Sequence, residues 1–330
     1  MAKRKKRHLS PAGFLLSLVL LIVIIFVIDA IARFFLQTDT ENIVSVGSFA
    51  DTEEETDVAE EDAEEGTETE EDDSIILELT AEDEANGTLI LVDDEHPYTA
   101  TTSFGDFSSI SDSNVITSST SLPIREEILD DLCTMFDAYA SYNGSANLEI
   151  YSTTSSTLSS ESLYTNSLPD RDTGYSFDIG LITSTGEIAA YIQEHNEWMV
   201  SNSWEYGFIL RYPSDKTETT GVSYAPHHFR YVGQPHAAIM NDNDFCLEEY
   251  LTFLQSYTMD VGGYSYVYND QSYLIYYIPA DESGVTTVTL STDVNYTVSG
   301  DNQGGFILTI INGTTEETET EETTESTSEY

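Results

Sequence analysis

The sequence predicts an α+β fold followed by a small all-β unit. Between Arg125 and Tyr142 the apolar residues Ile128, Leu129, Leu132, Met135, Phe136 and Tyr139 recur three and four positions apart, the period of an amphipathic helix. Short apolar runs at 148–151, 176–182 and 208–210 have the length of strands and lie between turn residues. Beyond Gly262 and Gly263 the pattern changes to period two, with Tyr264, Tyr266 and Tyr268 alternating with Ser265 and Val267.

In chain order, residues 1–11 are basic and residues 12–36 form an apolar stretch long enough to span a bilayer. Lys and Arg before the stretch and acid after it place the N-terminus in the cytoplasm and the rest outside, attached to the cell membrane by one pass. Cleavage after the small residues Ala30 and Ala32 is the competing reading. Residues 37–74 are mostly Asp, Glu and Thr and lack the apolar surface to offset their ordering entropy. They are expected to form an extended, self-repelling tether with an r.m.s. reach of roughly 35 Å. Their carboxylate density also admits a divalent-cation site, against the simpler solvated spacer. The net charge of -49 excludes a nucleic-acid partner, which needs a basic footprint.

The ordered domain is expected over 75–257. Besides the elements above it should hold a strand at 88–92, a helix over 187–204 with His195 facing solvent, a strand at 228–232, and a last helix opening at Cys246. A β appendage should follow over 258–312, with runs at 273–278, 286–290 and 306–310. Its tyrosines either pack against their neighbours or stack on sugar rings of a cell wall. Residues 313–330 repeat Glu and Thr and are expected to be disordered. Cys133 and Cys246 form a disulfide or remain two isolated buried thiols. The chain has no CxxC zinc motif and no Gly-x-Ser-x-Gly nucleophile elbow.

The adjacent histidines His227 and His228 raise the question of a metal. A catalytic zinc takes three protein ligands and leaves a fourth position for water. On one strand, neighbouring side chains point to opposite faces, so at most one of the pair reaches a shared ion. An ordinary polar pair at a strand edge is the other reading.

The tract from Tyr206 through Arg211, Tyr212 and Pro213, then Lys216, Thr220-Gly221, Tyr224, Pro226, His228 to Gly233, and His236-Ala237, resembles the VanY-type D-alanyl-D-alanine carboxypeptidases of the lysostaphin, D-Ala-D-Ala and Hedgehog group of zinc peptidases. The resemblance implies an antiparallel sheet with flanking helices, a zinc ion held by His, Asp and His, and a Glu as general base. This chain departs from that pattern. Where the family reads Tyr-Glu-Pro-Trp-His, it has Tyr224-Ala225-Pro226-His227-His228, so the ligand His228 is retained and Ala225 replaces the base. Where the family reads Ser-x-His-x-x-Gly-x-x-x-Asp, Gly174 and Asp178 are retained and Arg171 replaces the histidine. In the substrate-binding segment Ser155 and Ser160 replace the family's Arg and Gln.

Loss of a general base costs roughly 10² to 10⁴ in rate. A guanidinium at a ligand position is more damaging, because it repels a dication and has no lone pair. No cofactor is therefore expected, and a bidentate ion pair between Arg171 and Asp178 should stand in for the ion. The reading that follows is a catalytically inactive pseudoenzyme, binding or scaffolding at a peptidoglycan stem peptide or another cell-envelope component. Two alternatives are carried: a residual zinc carboxypeptidase that recruits His227 or His236 as substitute ligand, and a surface interaction protein that acts through the β appendage.

Overall fold

The helix expected after Arg125 forms as a 3-10 turn, Glu126–Ile128, that runs into an α-helix, Leu129–Asn143. The computed structural model describes residues 44–45, 74–100, 103–109, 113–166, 168–192 and 197–312. The chain divides into Met1–Val44 and Ser45–Tyr330, and the fold below belongs to the second unit. The strands are β1 (Val44–Ser45), β2 (Ser74–Thr80), β3 (Ile116–Thr117), β4 (Leu148–Ser152), β5 (Ser176–Ile182), β6 (Ile188–Ala190), β7 (Phe208–Leu210), β8 (His228–Tyr231), β9 (Tyr264–Tyr268), β10 (Gln271–Pro279), β11 (Val285–Ser291), β12 (Asn295–Gly300) and β13 (Gly305–Asn312). The helices are α1 (Ala81–Glu84), α2 (Leu129–Asn143), α3 (Trp198–Asn202), α4 (Thr217–Thr220), α5 (His236–Asn243) and α6 (Leu247–Leu254).

The sheet that carries the site has the order β3-β4-β5-β8-β7, with β6 also paired to β5. Only its β3–β4 pair is parallel. Helix α2 lays Leu132, Met135, Phe136 and Tyr139 on one face of this sheet, against Phe177, Phe208 and Phe229. Each such side chain contributes about 1.5–3 kcal/mol by leaving water. Gly144, with φ +76°, ends the helix in the left-handed conformation that favours glycine.

The period-two segment forms a second antiparallel sheet, β12-β13-β10-β9. Strand β11 leaves it and pairs with β2, from Ser74 opposite Ser291 to Thr80 opposite Val285. A shared core joins this region to the first sheet: Leu89, Leu91, Ile209 and Val232 pack with Leu247, Leu251, Ile275 and Ile307. The expected boundary between 257 and 258 is thus crossed by one continuous core, and the β strands are integral rather than appended. The tyrosines of β9 pack inward: Tyr264 lies 5.1 Å from Phe253, the Tyr266 hydroxyl donates to Asp242, and Tyr268 lies 6.3 Å from Trp204.

Several expectations are corrected. Residues 89–92 are buried, but the run 88–92 forms no strand. They run between the two sheets, where the Leu91 amide donates to the Asp301 carbonyl and the Leu89 amide to Ser299 Oγ. The helix expected over 187–204 is replaced by β6, which completes pairing on β5, and by the short α3. His195 lies outside the described residues. Helix α5 escapes the period test because His236, Ala237, Ala238, Ile239 and Met240 are all buried and its exposed residues, Asn241, Asp242 and Asn243, follow in one block rather than along a stripe. Cys246 is buried and Cys133 half-buried, and neither forms a disulfide. The apolar stretch 12–36 and the tail 313–330 lie outside the described residues. Among the described residues no helix is long and apolar enough to cross a membrane.

Candidate functional site

The pairing of β4, β5 and β8 sets Ser152, Asp178 and His228 side by side, with Asp178 directly opposite both partners. A five-residue 3-10 turn, Pro169–Thr173, ends at Gly174 in the left-handed conformation and delivers Asp170 and Arg171 to the same place. Gly174 is required there, since a Cβ would lie 2.7 Å from the Phe104 ring. Asp170, Arg171, Asp178 and His228 are all fully buried.

Their contacts form a continuous chain. Arg171 Nε donates to Asp178 Oδ2 at 3.0 Å, and Nη1 donates to the Asn166 carbonyl at 2.9 Å. Nη2 lies 2.9 Å from the same Oδ2 but makes no hydrogen bond, so it adds charge attraction only. The expected pair between Arg171 and Asp178 is therefore present but not bidentate, because the other carboxylate oxygen is taken. His228 Nδ1 faces that Oδ1 at 2.7 Å, and Nε2 faces Asp170 Oδ1 at 2.9 Å. Asp170 further accepts from the Tyr212 hydroxyl and from Ser176 Oγ, each at 2.9 Å. Arg230 Nη1 lies 3.5 Å from Asp170 Oδ2, and Arg211, which forks onto Glu248, has its Nε 3.8 Å from the same oxygen.

Burial opposes ionisation of both carboxyls, yet His228, Arg211 and Arg230 hold Asp170 well below the usual carboxylate range, and His228 and Arg171 lower Asp178. Burial likewise opposes the charged ring of His228, and the charge and hydrogen bond of Asp170, with those of Asp178, outweigh it and raise its pKa. An ionised carboxylate only accepts, so the two carboxylates flanking the His228 ring favour its doubly protonated form.

A zinc ion needs ligand lone pairs, and a guanidinium offers none. Both His228 nitrogens face carboxylates, each Asp178 oxygen already has a partner, and Arg171 brings a fixed positive charge into the cluster. Among the described residues no group of three His, Cys, Asp or Glu side chains is arranged to hold a metal. These residues do not fit a zinc centre.

The remaining sequence candidates separate. His227 Nε2 lies 4.0 Å from Asp178 Oδ1, too far for a hydrogen bond, and has no other partner. Its ring stacks on Tyr164 with centroids 3.6 Å apart, and burial pushes its pKa down to about 4. His236 is not near the site. It sits in the second core, with Nδ1 2.7 Å from the Tyr250 hydroxyl and Nε2 3.2 Å from Thr309 Oγ1, which removes it as a substitute ligand. Ala225 is buried in an apolar cluster with Leu168 and Tyr212. Ser155 and Ser160 are exposed, and the Ser155 amide donates to Asp172 Oδ1 at 2.7 Å. Asp170, Tyr164 and Tyr212 are the site residues that the sequence reading missed. The one signal for Asp170 was its place beside Arg171.

Residues 149–234 match the model of the VanY family, D-alanyl-D-alanine carboxypeptidase. Over these residues the chain is similar to that family. A D-alanyl-D-alanine carboxypeptidase of Enterococcus faecium is 41% identical over 147 residues, which cover 44% of this chain and 45% of that protein. The bifunctional D-Ala-D-Ala dipeptidase and carboxypeptidase VanXYC of Enterococcus gallinarum is 59% identical over 49 residues, 15% of this chain and 26% of the relative. The chain thus spans less than half the length of these curated relatives. Among solved structures, the vancomycin-resistance D,D-dipeptidase VanXYg, in complex with a D-Ala-D-Ala phosphinate analogue, is similar with a TM-score of 0.57 and 25% identity over 72% of this chain and 99% of that one. That likeness reaches well beyond the VanY segment, in keeping with a core that the C-terminal strands share.

Proposed function

We propose that this protein is a VanY-family homologue that keeps the peptidase fold as a binding or scaffolding module and does not hydrolyse stem peptides. The observation that carries this reading is the continuous chain Arg171, Asp178, His228 and Asp170, which sets a fixed cation against Asp178 and engages both His228 nitrogens with carboxylates. Burial of Ala225 among apolar side chains adds to it, because no carboxylate stands ready to activate water there. The names of the relatives suggest a D-Ala-D-Ala-ending peptidoglycan stem peptide as the ligand class. Under this proposal residues 12–36 anchor the protein in the cell membrane, with the VanY-family domain on the outer face.

The test is zinc content and D-Ala release, measured on the purified full chain with muramyl pentapeptide. Substoichiometric zinc, a melting temperature indifferent to chelator, and D-Ala release no greater than that of an Asp178→Ala, His228→Ala control are expected, since any ligand bound only by the folded state must stabilise it. One tightly held zinc per chain with chelator-sensitive melting sinks the proposal. It would favour the residual-enzyme reading, for which the unpartnered Nε2 of His227 beside Asp178 is the supporting observation.

A further inference from the structure

Residues 158–166 cross the face of the cluster as an irregular segment whose middle, Ser159 to Glu161, is exposed. It is held at few points. The Leu163 amide donates to the Tyr151 hydroxyl at 3.2 Å, and the Asn166 carbonyl accepts from Arg171 Nη1 at 2.9 Å. Its one fully buried residue is Tyr164, whose ring lies flat on His227. The Tyr164 hydroxyl donates to the Ile179 carbonyl at 2.6 Å and accepts from the Tyr191 amide at 2.8 Å, so it bridges β5 and the chain leaving β6.

We infer that residues 158–166 form a strap that closes the VanY-family cleft over Asp178 and His228, with Tyr164 as its latch. Beneath the latch, His227 keeps an unpartnered Nε2 while more than nine-tenths buried. Closure thus leaves a polar atom unsatisfied, which an incoming water or ligand would satisfy on opening. A segment with one buried anchor and mostly exposed backbone belongs to the low-stability end of a fold, able to open without global unfolding. The inference rests on the proposed reading of this cluster as the remnant of a stem-peptide site and adds how access to that site is controlled. Its test reads access alone, so it stands or falls separately from zinc content and D-Ala release.

The experiment is histidine acylation of the full chain by diethyl pyrocarbonate, mapped by mass spectrometry for the wild type and Tyr164→Ala. His96, partly exposed, serves as the open reference, and His236, buried in the other core, reports global unfolding. The expected result is slow modification of His227 in the wild type and a rate at least about ten-fold higher in Tyr164→Ala, with His236 unchanged. Wild-type His227 reacting as fast as His96, or staying slow in Tyr164→Ala, overturns the strap. If Tyr164→Ala also exposes His236, wild-type amide exchange decides instead. The amides of Leu163 and Tyr191 should then exchange together and about ten-fold faster than that of Ile179, which is bonded to the His227 carbonyl. Equal protection at all three would show that the segment does not open as a unit.

Discussion

At the scale of single residues, the charge cluster makes unequal predictions for its members. Asp178→Ala strands the buried cation Arg171 and leaves His228 with Asp170 alone, and it should cost about 3–5 kcal/mol in urea denaturation. Arg171→Ala leaves Asp178 still bonded to His228 and should cost less. The double variant should lose less than the two single losses added, because the residues touch. Additive losses would mean that Arg171 and Asp178 are not coupled. Ala225→Glu puts a carboxylate among Leu168, Tyr212 and Val222, so it should destabilise by on the order of 3 kcal/mol and yield no D-Ala release. His236 supplies a pH test away from the cluster. Burial pushes its pKa down to about 3, below the roughly 6.5 of an unfolded histidine. The unfolded chain therefore takes up the proton first, and this contribution is intact above pH ~6.5 and falls by about 1.4 kcal/mol per pH unit below it. Stability of the wild type relative to His236→Gln should follow that slope between about pH 6.5 and 5. A flat difference would show that the folded ring accepts a proton freely.

At the scale of elements, the decisive pairing is β2 with β11, which ties β2 to a strand more than two hundred residues later. Removing the chain from residue 258 onward should therefore abolish cooperative unfolding, because β2 loses its partner and Leu247, Leu251 and Leu254 lose the cover of Ile275 and Ile307. A truncated protein that melts at the parent temperature would restore the view of the β strands as an appendage. The elements legible in the sequence were those with a clear period or a short apolar run between turn residues. Helix α2 shows its period because Leu132, Phe136 and Tyr139 face the sheet while Asp130 and Thr134 are exposed. Helix α5 is buried from His236 to Met240, as are residues 89–92, and no period in those stretches separates helix from strand from extended loop.

At the scale of the whole molecule, charge is sorted by depth. Arg125, Arg171, Arg211 and Arg230 are buried, and Lys216 pairs with Glu249 at 2.9 Å, while the chain as a whole carries a net charge of -49. The cations thus stabilise the interior, and the described surface is left to carboxylates that repel one another. Raising NaCl from about 10 mM to about 0.5 M should screen that repulsion and raise the melting temperature. A fall in melting temperature would mean that surface ion pairs such as Lys216 with Glu249 outweigh the repulsion.

The sequence by itself determined the α+β class, the VanY resemblance, the departure from that pattern at Arg171 and Ala225, and the expected partnership of Arg171 with Asp178. Those follow from local period, from motif order and from the charge of one side chain. The tertiary structure alone decided that Asp170 closes the chain on His228, that Tyr164 covers His227, that His236 belongs to another core, and that the C-terminal strands complete the domain. Each of these is a contact between residues whose separation in sequence says nothing about their distance, and each depends on which face of a strand or turn meets which neighbour. Register supplies that information, and only the folded sheet sets the register.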